Sequence, residues 1–162
     1  MKKVAILWLC TVLLVACGEE GADKPYVEFA GGGFVFNYNI AEAYYGFVAR
    51  ALRRIPEGTV LEAEFENPDG GAPLVVQHTA IEGRAEYVFR TPGVQGVEAN
   101  RTYQVELRLL ESGTGKLLGS YSKAFRSTAD QAILPKVPTT VGPGYQLNPD
   151  SEYAKSPADS SN

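Results

Sequence analysis

His78 is the only histidine in the 162-residue chain, and it lies in the alternating run Leu74-Val75-Val76-Gln77-His78-Thr79. An imidazole can act as a general base or as a metal ligand. A metal centre needs further nitrogen or sulfur ligands, and the chain beyond residue 17 has no other imidazole and no thiol. A histidine-activated serine needs a setting such as G-x-S-x-G, which the chain lacks. His78 therefore reads as a strand-surface residue. Gly113-Thr114-Gly115-Lys116 matches part of a phosphate loop, but Leu110 and Leu117 stand where the pattern needs Gly and Ser or Thr. It reads as a hairpin turn. Gly31-Gly32-Gly33, with no helix pattern after it, reads as a hinge or bulge.

The carboxylates Glu62, Glu64 and Glu66 recur at every second residue, which puts all three on one face of a strand. Like charges so placed repel unless cations answer them; Arg108, Lys123 and Arg126 are the candidates from neighbouring strands. The main reading is a solvated, cross-paired sheet face. A basic protein partner or a weakly held divalent cation are the functional readings. Acid–base chemistry is not expected there, because a flat, wet strand raises no carboxyl pKa. Tyr44 and Tyr45 are adjacent, so in a strand one faces the core and the other the outer surface. An exposed tyrosine stacks on sugar rings or anchors a protein interface. Tyr44, Tyr45, Glu62, Glu64 and Glu66 are thus the expected interaction surface. No enzyme activity and no cofactor are expected.

The N-terminus sets where this chemistry would take place. Lys2 and Lys3 precede an apolar run, Val4 to Leu14, of 11 residues. A membrane-crossing helix needs about 20. Leu14-Val15-Ala16-Cys17 then places small residues before a cysteine, the pattern of a cleaved secretory signal. This segment resembles the lipobox of bacterial lipoproteins. The resemblance covers residues 1–17 only. It implies cleavage before Cys17, a diacylglyceryl thioether on that sulfur and an acylated N-terminus, with chains such as palmitate. Two or more acyl chains hold a protein stably on a bilayer. Gly18 departs from the Asp that often marks inner-membrane retention in that family, so the resemblance implies an outer-membrane lipoprotein facing the periplasm.

Such cleavage leaves 146 residues and, with Lys2 and Lys3 gone, takes the formal net charge from −4 to −6. Only one thiol remains, so no disulfide framework is available. No basic run exists to neutralise phosphates or to hold an anionic membrane surface, and nucleic acid is not an expected partner.

The elements that must position these residues are strands. Phe34, Phe36, Tyr38 and Ile40 alternate with polar or smaller residues; so do Leu61, Ala63 and Phe65, then Ala85, Tyr87 and Phe89, then Tyr103, Val105, Leu107 and Leu109. Period-two alternation means one buried and one wet face. Asn67-Pro68-Asp69-Gly70-Gly71 and Ser112-Gly113-Thr114-Gly115 are turn sequences between such runs. Residues 41–54 fit either a strand, with Tyr45, Phe47, Ala49 and Ala51 on one face, or a helix striped by Tyr44, Tyr45, Val48, Leu52 and Ile55; the strand is preferred.

About seven strands in about 100 residues suit an antiparallel, all-β, immunoglobulin-like sandwich. Ala99 to Leu107 resembles its sixth strand, where a tyrosine near the start, here Tyr103, closes a corner with its hydroxyl. A closed barrel is the alternative. The expected organisation is a signal peptide at 1–16, a lipidated tether at 17–25, a sandwich at 26–129 and a Pro/Ser-rich disordered tail at 130–162. Ile133-Leu134-Pro135 and Tyr145-Gln146-Leu147 stand out in the tail as docking segments, against the reading of a tail with no specific role. The expected function is a non-catalytic, lipid-anchored accessory module that presents its sandwich, and its tail, to an envelope protein. The alternative is binding of a glycan or cell-wall ligand.

Overall fold

The computed structural model describes residues 24–155. The expected signal peptide, Cys17, most of the expected tether and residues 156–162 lie outside the described residues.

Seven strands form the body: β1 (Val27–Asn37), β2 (Glu42–Ala51), β3 (Val60–Phe65), β4 (Leu74–Thr79), β5 (Glu86–Arg90), β6 (Thr102–Leu110) and β7 (Leu117–Arg126). They make two antiparallel sheets, ordered β1-β2-β5 and β4-β3-β6-β7. The ambiguous segment is a strand: β2 buries Ala43, Tyr45, Phe47 and Ala49 in strict alternation. Pairing to β1 and β5 on both sides satisfies its backbone, and the period-two burial puts Tyr44 and Tyr45 on opposite faces, where a helix stripe would have put them on one.

The inner faces meet through aromatic rings. Phe47 lies at the centre, with ring centroids 4.7 Å from Phe29, 4.9 Å from Phe89, 5.6 Å from Phe65 and 6.2 Å from Phe125. Phe65 and Phe125 belong to the second sheet, so one ring ties both layers. Such offset and tilted pairs add to the area they bury.

The alternative of a closed barrel does not hold, because β1 and β7 share no backbone ladder and neither do β4 and β5. Side chains bridge those edges instead. The Tyr121 hydroxyl accepts from the Tyr26 amide at 2.8 Å, and His78 Nε2 lies 2.8 Å from the Val88 carbonyl. A carbonyl only accepts, so Nε2 carries the proton. The corner expected at Tyr103 is present: its hydroxyl accepts from the Glu98 amide at 2.8 Å.

The triple glycine is a bulge, with the register shifting between Phe29 and Gly31. A side chain at Gly32 would put its Cβ 2.5 Å from the Gly46 carbonyl and 2.6 Å from Phe125. β1 stops at Asn37, earlier than the alternation through Ile40 suggests. The Asn37 side chain accepts from the Asn39 amide at 3.0 Å, and Ala41 adopts a left-handed φ of 54°. This local turn outcompetes the strand.

Residues 130–155 depart from the disordered tail that their composition suggests. They form a short 3₁₀ turn (Gln131–Ile133), a ribbon of β8 (Thr140–Val141) with β9 (Gln146–Leu147), and one helical turn, α1 (Glu152–Lys155). Leu134 packs against the core, and hydrogen bonds hold the rest. Gln131 N donates to Val97 O at 2.8 Å and Thr140 N to Asn39 O at 3.1 Å. Asn148 Nδ2 reaches Pro138 O at 2.7 Å, and the Ser151 hydroxyl donates to Asn148 O at 2.6 Å. Both Asn148 and Ser151 are buried.

The strands give the body two ends. β1 starts at the near end, with the loops 52–59, 80–85 and 111–116. The β1–β2 turn and residues 130–155 lie at the far end, roughly 30 Å away for a ten-residue strand.

Candidate functional site

The acidic stripe lies on the outer face of β3 and is answered from within the sheet. Glu62 faces Arg108 across the β3–β6 ladder. One Arg108 nitrogen donates to Glu62 Oε1 at 2.6 Å and to Glu64 Oε2 at 3.0 Å. Gln77 Nε2 donates to Glu62 Oε2 at 2.5 Å. The Gln77 amide first, and the Arg108 guanidinium second, hold the Glu62 carboxyl below the usual carboxylate range. Glu66 takes Arg101 at 3.2 Å and the Gln104 amide at 2.9 Å. Arg108 thus pairs as the sequence suggests, whereas Arg101, rather than Lys123 or Arg126, answers Glu66. Carboxylates so engaged form a cross-strand network, a surface for a basic partner only after those pairs are broken.

Tyr45 is corrected as a surface residue. It is fully buried, and its hydroxyl donates to the Glu66 carbonyl. Burial, then the nearby Glu66 carboxylate and Tyr103, push its phenol well above the ordinary tyrosine range. Alternation along β2 forces this, since Phe47 must also point inward. Tyr44 takes the opposite face, half-buried beneath the Arg90 guanidinium 4.6 Å from its ring. There it joins Val35, Val48 and Val88 in a shallow hollow of about 420 Å³ over the β1-β2-β5 sheet. His78 is an edge pin: its ring stacks edge-on against Phe89 at 4.7 Å.

A larger hollow lies at the far end. A cleft of about 710 Å³ runs between the β1–β2 turn and residues 132–153, with Tyr38, Ile133, Leu134, Pro135, Leu147 and Tyr153 as its apolar lining. Asn39, Lys136, Thr139 and Glu152 supply polar groups around it. Tyr153 remains 79 % exposed and Leu147 59 % exposed. The cleft brings together both segments that stand out in the tail sequence, Ile133-Leu134-Pro135 and Leu147. Tyr38 and Tyr153 escape sequence reasoning, because 115 positions separate them and long-range hydrogen bonds, among them those from Thr139 and Thr140 to Tyr38 and Asn39, bring the two segments together.

At the near end Arg53, Arg54 and Arg84 surround a second hollow, of about 480 Å³. Two loops contribute them, so no run of basic residues announces it.

No known family matches the chain, and no curated protein or solved structure is significantly similar to it.

Proposed function

We propose that this protein is a non-catalytic, lipid-anchored module of a bacterial cell envelope that engages a protein partner through its far end. The observation that supports the reading most is the clustering of exposed apolar side chains around the far cleft, at the opposite end of the strands from the chain's entry at residue 24. Contiguous exposed apolar surface marks interaction sites. Tyrosines at the centre of such a patch are the residue type that dominates interface energetics. A domain tethered at Cys17 would hold this patch away from the bilayer.

A second reading follows from the same cleft. Tyr38 and Tyr153 beside Asn39, Lys136 and Glu152 combine aromatic faces with hydrogen-bonding groups, the pairing that a pyranose ring requires.

The test is crosslinking in cells that carry the native protein, with Cys17→Ala and Leu147→Asp/Tyr153→Ala strains alongside. The protein-partner reading expects a near-stoichiometric envelope protein crosslinked to residues 132–153 and lost in the cleft variant. Recovery of glycan alone, again dependent on Tyr153, supports the second reading. Membrane retention of Cys17→Ala overturns the anchor, and a crosslinking pattern unchanged by the cleft variant overturns the site.

A further inference from the structure

The hollow at the near end has the chemistry of an anion seat. Guanidinium groups recognise phosphate through planar, charge-assisted hydrogen bonds, and three of them, Arg53, Arg54 and Arg84, line this one. We propose that the hollow seats the phosphate of an anionic lipid headgroup and thereby holds this end of the domain against the membrane. The inference rests on the lipid-anchor reading for proximity and on the hollow for its chemistry.

Three features of the hollow fit a headgroup. It opens beside the start of β1: Leu52 N donates to Tyr26 O at 2.9 Å, and the Arg53 guanidinium lies 3.5 Å over the Tyr26 ring. The 8 residues from Gly18 to Pro25 span at most roughly 26 Å, so a lipidated Cys17 keeps this end within reach of the bilayer surface. Apolar side chains then flank the arginines. Leu52 and Ile81 are exposed, Ile81 by 53 %. A rim of arginine next to aliphatic side chains suits the boundary between headgroups and acyl chains. Finally, the ion pair of Arg54 is a weak competitor. Arg54 meets Glu82 at 2.6 Å, but both side chains are mostly exposed, and such pairs contribute little.

Glu19, Glu20 and Asp23 lie in the tether and repel the same lipids. The attraction therefore comes from the hollow itself and not from net charge. This also explains why counting basic runs misses it: Arg84 lies thirty residues from Arg54 and joins it only through the turn Ile81–Arg84, closed by Arg84 N to Ile81 O at 3.2 Å.

Cys17 is the single thiol in residues 17–162, a chain that holds every residue of the core. It can be coupled to a maleimide lipid in vesicles, which separates this test from lipidation in the cell. Vesicles of phosphatidylcholine alone are compared with vesicles containing phosphatidylglycerol. The readout is broadening of the Leu52 and Gly83 amide signals by a gadolinium-bearing lipid. The expected result is broadening that depends on phosphatidylglycerol. Arg54→Ala/Arg84→Ala should lower the docked-to-undocked ratio about thirtyfold, from ~1 kcal/mol per basic residue at an anionic surface. Ile81→Asp should lower it independently, and Lys136→Ala at the far end should leave it unchanged. Equal broadening in both vesicles, or a ratio unmoved by the arginine and Ile81 variants, overturns the proposal. So does inorganic phosphate that shifts the same amides without vesicles, because it would make the ligand a soluble phosphate. Lipidation itself is read from the mass of the N-terminal peptide of the cell-derived protein, so failure of the anchor and failure of the hollow are told apart.

Discussion

Phe47→Ala is the substitution that most directly tests how the two sheets hold together. Phe47 is 2 % exposed and touches aromatic rings from four strands: Phe29 of β1, Phe89 of β5, Phe65 of β3 and Phe125 of β7. Truncation removes those contacts and leaves a void whose walls are rings from both layers. Rings anchored in paired strands cannot collapse into it freely, so the loss should fall within the usual range for Phe→Ala in a core, about 3–5 kcal/mol. That is a large share of the 5–15 kcal/mol typical of a domain, and corresponds to a Tm lowered by roughly 10–20 °C at this size. Urea unfolding of the 17–162 chain, followed by circular dichroism, measures it. Val88→Ala serves as control, on the outer face and 65 % exposed, and should change stability by less than about 0.5 kcal/mol. A Phe47→Ala loss below about 1.5 kcal/mol would refute the reasoning, since it would mean that the sheets do not share one core centred on this ring.

Tyr103→Phe should cost about 1–3 kcal/mol, because it leaves the Glu98 amide without its acceptor beside a buried ring; faster hydrogen exchange at Glu98 would accompany it, and an unchanged exchange rate would count against the corner. The depressed Glu62 carboxyl makes a pH prediction. Its contribution is fully present above the ordinary glutamate pKa of about 4.3 and is lost as pH falls through the lower folded value. Urea midpoints of the wild type should therefore drop more steeply below about pH 4 than those of Glu62→Gln. Parallel slopes would show that Gln77 and Arg108 do not favour the charged form.

The body of the fold was legible because its signals are local. Alternation at Leu61, Ala63 and Phe65, or at Tyr103 through Leu109, needs only one strand to be read, and those side chains are the ones buried. Tyr103 even announces its own hydrogen bond, since the partner lies five residues upstream. Residues 130–155 were misleading because composition measures only their capacity to bury apolar area. Their order comes from long-range hydrogen bonds to Asn39, about 100 positions away, which no window on the sequence contains. The same holds for both hollows. Tyr38 with Tyr153, and Arg54 with Arg84, become neighbours only through the topology. Tyr45 illustrates the opposite case. Adjacency told that one of the tyrosine pair faces inward, but only the register with Phe47 and Ala49 decided which one.

The strand count determines how these two hollows are related. Each strand of this antiparallel body carries the chain from one end to the other. Seven strands is an odd number, so a chain that enters at the near end must leave β7 at the far end. An even count would have returned residues 130–155 to the side where residue 24 enters. There they would have crowded the arginine hollow and stood close to the proposed anchor at Cys17. With seven, the segment that builds the far cleft is kept a full strand length from the tether. The β1–β2 turn is also at the far end, because β1 crosses first, and it meets the returning segment through Asn39. The cleft thus arises where the first crossing and the last one end. In the proposed reading, one end meets lipid and the other meets a partner, and their separation follows from the odd number of crossings. A variant shortened by deleting the edge strand β4 together with its loops would leave six crossings, an even count that cannot place residues 130–155 at the end opposite residue 24, whereas mutations within either hollow should leave the other untouched.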